Sequence, residues 1–223
     1  MKQLFLITAT CLFTGVFSTA QNARFGFTAG SVFANYKAKY DQIEISGKSK
    51  TGFTAGMLVD FPMGEKISFQ PALNFVQKGT KDEEDFGNGS FAKTSTNINY
   101  LEMPMNFLFN ASGNAGTFFV GGGPSFSFAI SGKSKYEDET GSESGDLEFG
   151  NDPDNDDMKG FDFGANMLAG YRFPNGLILS AGYNAGLSNL MPGGSEDGTL
   201  KSNYFGVKIG FLLKGKSSAA KSK

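Results

Sequence analysis

The chain has 223 residues and a formal net charge of −2, with 31 glycines, 24 phenylalanines, one cysteine and neither tryptophan nor histidine. That length suits one domain, and the composition excludes imidazole general-base or triad chemistry and the basic face that nucleic-acid binding requires. No glycine-rich phosphate loop opens a helix, so we expect neither an enzyme nor a cofactor.

Residues 1–20 read as a secretory signal peptide. Lys2 is followed by an apolar run from Leu4 to Phe17 and by the small residues Ser18, Thr19 and Ala20, which places cleavage after Ala20. Cys11 lies inside that run and follows Thr10, a poor setting for a lipid-anchored cysteine. Loss of residues 1–20 removes the cysteine and Lys2, leaving 19 basic against 22 acidic side chains, a net of −3. No later segment approaches an apolar helix of membrane length, so membrane insertion must be by strands.

From Arg24 onward the pattern has a period of two. The first strand, Arg24 to Tyr36, sets Phe25, Phe27, Ala29 and Phe33 against Gly26, Thr28, Gly30 and Ala34. After a polar segment, Lys37 to Lys50, the second sets Phe53, Ala55, Met57, Val59 and Phe61 against Thr54, Gly56, Leu58 and Asp60, and turns at Pro62-Met63-Gly64-Glu65. The third carries Ile67, Phe69, Leu73 and Phe75 opposite Ser68, Gln70, Asn74 and Lys78, then reads as a long polar loop from Gly79 to Thr96. The fourth has Leu101, Met103, Met105, Phe107 and Phe109 opposite Tyr100, Glu102 and Asn106. It closes quickly through Asn110 to Ala115. The fifth sets Phe118, Val120, Phe126, Phe128 and Ile130 against Gly121, Gly123, Ser125 and Ser127, and the longest loop, Ser131 to Asp157, follows.

The sixth and seventh strands form the clearest hairpin. Phe161 to Phe173 and Leu177 to Ser188 alternate throughout and are joined by Pro174 and Asn175-Gly176, a dipeptide suited to the positive φ of a hairpin turn. Each arm runs about twelve residues, against roughly nine to eleven for a tilted membrane-spanning strand. After Asn189 to Leu200, the eighth strand sets Phe205, Val207, Ile209, Phe211 and Leu213 against Gly206, Lys208 and Gly210.

Eight strands whose connections alternate long and short fit an all-β, eight-stranded antiparallel up-and-down transmembrane β-barrel over residues 21–213, with a basic tail at 214–223. A soluble exported β-sandwich or ligand-binding barrel shares the alternation. A lipocalin-like barrel would point its large apolar residues inward, whereas here one face holds nearly all the phenylalanines and the other holds glycine, asparagine and charge. Pro71, Pro104 and Pro124 fall inside these strands and lack a ladder donor, so bulges or lumenal water are expected there.

The segment Tyr100-Leu101-Glu102-Met103-Pro104-Met105, with Gly122-Gly123-Pro124 and Asp162-Phe163-Gly164, resembles the outer-membrane β-barrel domain family, the porin-family or PorT-like small barrels of OmpA- and OmpX-like architecture. The resemblance covers Phe25 to Phe211. It implies a bacterial outer-membrane location reached by the secretory pathway, contact with outer-membrane lipid, and assembly by the barrel-insertion machinery. Such barrels commonly end in an aromatic residue, whereas this chain runs on through Lys214, Lys216, Lys221 and Lys223.

Even positions place Asp60, Glu102, Asp162, Arg172 and Lys208 on the glycine-rich face. Inside an eight-stranded barrel they must pair, because an unpaired buried ion costs several kcal/mol. Asp60 and Arg172 lie near the short-turn end and could share a layer with Arg24. Such charges serve either as a structural plug of salt bridges or as an ion path, and an interior this narrow favours the plug.

The loop from Ser131 to Asp157 holds ten acidic side chains against Lys133 and Lys135, a net of −8, and reads as a solvated, mobile, self-repelling surface loop. Asp152, Asp154 and Asp156 have the alternate spacing of a calcium loop's first ligands, but Asp157 and Phe163 stand where that loop needs glycine and glutamate. They are weak calcium candidates. The expected role is structural, adhesive or surface-interacting, through acidic external loops that contact an extracellular or envelope protein. The alternatives are a narrow passive channel for ions or small solutes and, implied by the resemblance alone, an accessory component of an envelope secretion system.

Overall fold

A computed structural model describes residues 23–40, 43–87, 90–194 and 198–213. The expected signal peptide and basic tail lie outside the described residues. The strands are β1 (Arg24–Tyr40), β2 (Ile43–Ser46), β3 (Lys48–Pro62), β4 (Ile67–Gly87), β5 (Ser90–Gly113), β6 (Gly116–Asp138), β7 (Gly141–Asp146), β8 (Phe161–Arg172), β9 (Leu177–Gly186) and β10 (Thr199–Leu212). Eight of them, all but β2 and β7, form one antiparallel sheet that closes on itself where β10 pairs β1 from Gly26↔Leu212 to Lys39↔Thr199. Closure removes the open edge that an isolated sheet would present.

The alternation fixes which face looks inward. Phe25, Phe27, Phe53, Met57, Phe107, Phe118, Met167, Phe205 and Ile209 are exposed on the outer wall, and Thr54, Asp60, Asn74, Glu102, Ser125, Asp162 and Asn184 are buried inside. A soluble protein would not expose such a contiguous apolar belt, whereas lipid accepts it. Aromatic rings pair across neighbouring strands on this belt, as in Phe61–Phe69 and Phe69–Phe107, with centroids 6.4 and 5.0 Å apart.

The short turns cluster at one end. At the hairpin joining β8 to β9, Gly176 takes a φ of 97°, and the Asn175 side-chain oxygen accepts the Leu177 N–H at 3.0 Å. The Leu212 N–H donates to the Gly176 carbonyl at 2.8 Å, tying the turn to β10.

The three strand prolines sit in ladder interruptions without a register shift, not in the expected bulges. The β3–β4 ladder omits Val59/Pro71, the β4–β5 ladder omits Ala72/Pro104, and the β5–β6 ladder omits Met105/Pro124. Each proline pairs regularly with the following strand, as Pro71↔Met105, Pro104↔Ser125 and Pro124↔Ala165. A strand N–H points to one side only, so each missing donor disturbs one ladder. The prolines form a seam across β4, β5 and β6, stepping one residue per strand. Gly121 and Gly123 sit beside it because a Cβ on either would lie 1.9 Å from a β5 carbonyl oxygen, that of Phe107 or Met105.

At the other end, paired strand replaces the expected loop from Gly79 to Thr96. β4 and β5 continue as a paired hairpin to Gly87 and Ser90, and β6 extends alongside to Asp138. β5 has 24 residues, twice the number needed to span a membrane. This extension carries polar residues on both faces, since both meet water, and is held by cross-strand pairs such as Glu83↔Lys93 with their charged atoms 3.2 Å apart.

Candidate functional site: a filled lumen beneath an acidic wall

The interior is stacked in layers from the short-turn end upward. At the bottom, the Arg24 Nε donates to Asp60 Oδ2 at 3.0 Å, and Arg172 Nη1 lies 3.7 Å from the same oxygen. The Gln70 amide donates to the other Asp60 oxygen at 3.4 Å. Asp60 is fully buried, so its charge depends on these partners. Next comes an apolar layer of Leu58, Leu108, Phe119, Ile178 and Leu212. Over it lies a cavity of about 60 Å³, lined in part by Asn74, Glu102, Asn106, Asn166, Tyr204 and Lys208.

The central layer is built around Lys78, which is fully buried. Its Nζ stands 3.4 Å from Glu102 Oε2 and 3.5 Å from Asp162 Oδ2. It also lies over the rings of Tyr100 and Tyr204, 4.6 and 5.2 Å from their centroids, where the π faces favour a cation. The Ser127 hydroxyl donates to Glu102 Oε2 at 3.1 Å, and the Tyr204 hydroxyl donates to Glu102 Oε1. Glu102 and Asp162 therefore share a cation whose own network position the alternation did not single out. Lys78 stands on the inward parity of its strand, which was the available signal. Lys208 borders the cavity beside Glu102 without entering an ion pair among the described residues.

The top layer closes the mouth opposite the short turns. Tyr36 and Tyr100 bring their hydroxyls within 3.3 Å and pack with Ile98, Met158 and Leu190, flanked by Leu147 and Phe149. Met158, Leu147 and Phe149 belong to the acidic segment or its edge, so the expected mobile loop is instead anchored, while residues such as Glu143 and Asp154 stay solvated as expected. This segment forms the last residues of β6, then β7, then a compact stretch anchored by three apolar side chains. The Met158 N–H donates to the Glu148 carbonyl at 3.4 Å, and the Lys159 N–H to that of Leu190 at 2.8 Å. Self-repulsion is offset because many carboxylates cap backbone amides. Asp156 Oδ2 accepts the Asp152 N–H at 2.7 Å, and Asp157 Oδ2 accepts the Glu148 N–H at 2.8 Å.

These local bonds also occupy the calcium candidates. Asp152 accepts the Asn155 side-chain amide at 2.7 Å and the Asp154 N–H at 3.1 Å, which holds its carboxyl below the usual aspartate range. Among the described residues no group of three or more acidic side chains is arranged to hold a metal ion.

The closed ring, its apolar outer belt and its filled lumen define a membrane-spanning β-barrel. A sequence profile of the outer membrane protein beta-barrel domain matches residues 19–191, and the chain belongs to that family. It is an outer-membrane protein. No curated protein matches the chain. Among solved structures it is similar to Ail, the attachment invasion locus protein of Yersinia pestis, with 15% identity, a TM-score of 0.41 and coverage of 86% of this chain and 99% of that one. It is also similar to Neisserial surface protein A, with 10% identity, a TM-score of 0.38 and coverage of 85% and 97%. The outer membrane protease OmpT of Escherichia coli gives 10%, 0.35, and 86% and 97%.

Proposed function

We propose that this barrel is a membrane-anchored display scaffold, without catalytic activity, whose acidic external wall contacts an extracellular or envelope protein. The observation that carries this reading is the sealed mouth: Leu147, Phe149, Met158 and Leu190 pack over Tyr36 and Tyr100 while β4, β5, β6 and β7 project beyond them. Below that cap, the Lys78 cluster and the Leu58–Phe119 apolar layer fill the bore, which favours a charge plug over an ion path. The short turns face the periplasm and the extended wall faces outward, as in outer-membrane barrels generally.

The wall presents Glu83, Glu84, Glu137, Asp138, Glu143 and Asp146, all part-exposed or exposed. Such a surface steers basic partners toward it by long-range attraction that salt weakens. Residues 1–20 act in this reading as the export signal, removed before insertion.

The experiment keeps the cap and removes the charge. Glu137, Asp138, Glu139, Glu143 and Asp146 are replaced by glutamine or asparagine, leaving Leu147, Phe149 and Met158 intact, and cells displaying the variant are scored for attachment to host or envelope protein preparations. A drop in attachment that high salt reproduces in the parent supports the reading. Unchanged attachment at every salt concentration counts against it.

A further inference from the structure

The bottom layer has an unbalanced charge. Arg24 and Arg172 both address Asp60 Oδ2, and Gln70 occupies the other oxygen, so the carboxylate is fully engaged. Among the described residues no other carboxylate lies within ion-pairing distance of either arginine. Two guanidiniums thus share one negative charge in a confined, partly desolvated mouth, where a surplus cation attracts an anion.

A pocket of about 330 Å³ opens beside them at the periplasmic end, walled by Arg24, Arg172, Ser112, Thr117, Pro174 and Leu212. The arginine side chains keep 28% and 13% of their surface accessible, so each has donors to offer. The Ser112 and Thr117 hydroxyls are hydrogen-bonded to each other at 3.1 Å on the same wall, which leaves one proton of the pair free to donate. Guanidinium forks bind oxyanions in two-point fashion. A tetrahedral oxyanion, with oxygens in four directions, uses donors from several walls better than a planar carboxylate does.

We propose that this pocket binds one phosphate group, with Arg172 and Arg24 neutralising its charge and the Ser112–Thr117 hydroxyl pair donating its one free proton to a remaining oxygen. The group comes either from free phosphate in the periplasm or from a lipid headgroup of the inner leaflet folded over the rim. The site is separate from the external wall and stands whether or not that wall binds a partner.

The test uses the full barrel, purified in detergent. Inorganic phosphate and, separately, a short-chain phosphatidic acid are titrated and followed by calorimetry, with chloride at matched ionic strength as the control. Saturable binding by either probe and not by chloride is expected, and R172Q weakens it roughly tenfold through loss of a charge-assisted contact. Tighter binding of phosphatidic acid assigns the source to lipid, and equal or weaker binding assigns it to the free ion. Should R172Q fail to give the compact, heat-modifiable form, S112A/T117V removes the hydroxyl pair while leaving both arginines and Asp60, and is expected to weaken binding severalfold, unchanged affinity counting against the proposal. No saturable binding by either probe, or equal affinity in a folded R172Q, overturns the proposal.

Discussion

The Lys78 ammonium on β4 reaches the Asp162 carboxylate on β8 at 3.5 Å, across the width of the two intervening ring strands. With Glu102 at 3.4 Å, it ties together three strands that are not all neighbours in the ring. Removing one partner of a buried ionic cluster costs more than removing all of it, because the survivors remain charged and unpaired. The K78M barrel should therefore lose about 3–5 kcal/mol of stability. The K78M/E102Q/D162N combination should recover a large part of that loss. Urea midpoints read from the mobility of unheated samples on gels check both, and equal instability of the two variants would contradict the charge-cluster account.

The inner glycines divide by how closely a neighbouring strand approaches. A Cβ at Gly121 would stand 1.9 Å from the Phe107 carbonyl oxygen, whereas one at Gly206 would first meet the Val32 side chain at 3.5 Å. G121A should fail to yield the heat-modifiable form or yield it in small amount, and G206A should assemble like the parent. The yield of compact species after refolding distinguishes them.

The acidic external segment should loosen in acid. Thr140 and Gly141 hydrogen-bond the Asp138 carboxylate, and Asn155 and Asp154 hydrogen-bond that of Asp152, so both carboxyls are held below the ordinary aspartate value of 3.8. The unfolded segment then binds more protons than the folded one across that window, so stability rises with pH. The contribution is complete above the ordinary value and disappears as pH falls through the lowered one. Amide protection of residues 138–157, measured as exchange relative to the unstructured chain at the same pH, should fall below about pH 4, while the barrel amides of β8 and β9 stay protected. Unchanged protection of the segment from about pH 6 down to about pH 3 would contradict the capping role.

The apolar cap rests on few side chains. L190A removes a fully buried side chain from the Tyr36–Tyr100 layer, and the usual cost of such a truncation is about 2–5 kcal/mol. Because the barrel wall below is independently closed, that cost should fall on the external segment as raised protease sensitivity, with the barrel core still resistant. Limited proteolysis with mass mapping reads this directly.

The barrel was legible in the sequence because lipid and a narrow lumen impose opposite demands on alternate residues, and Phe161–Phe173 with Leu177–Ser188 states both. Above the membrane that contrast vanishes. Glu83, Lys93 and Lys135 meet water on either face, so the strand extensions leave no periodic trace, and neither does the short strand β7, whereas β2, Ile43-Glu44-Ile45-Ser46, alternates over only four residues, too few to stand out. Leu147, Phe149 and Met158 were too sparse among ten acidic residues to announce an anchored cap. Asp60 and Arg172 could be placed together because both sit next to short turns, where position along a strand fixes height, and Arg24 opens β1 at that same end. Lys78 could not, since its partners Glu102 and Asp162 depend on strand stagger around the ring. The prolines show the limit of single-strand reasoning: whether a missing N–H matters depends on which neighbour it would have faced.

A closed, filled barrel should display a surface and pass nothing. Planar-bilayer conductance of the purified protein tests it most directly. The layered interior predicts a current indistinguishable from the bare bilayer at moderate voltage, in the parent and in L190A alike, since the Lys78 cluster and the lower apolar layer remain. Discrete, reproducible opening steps from the parent protein would contradict it.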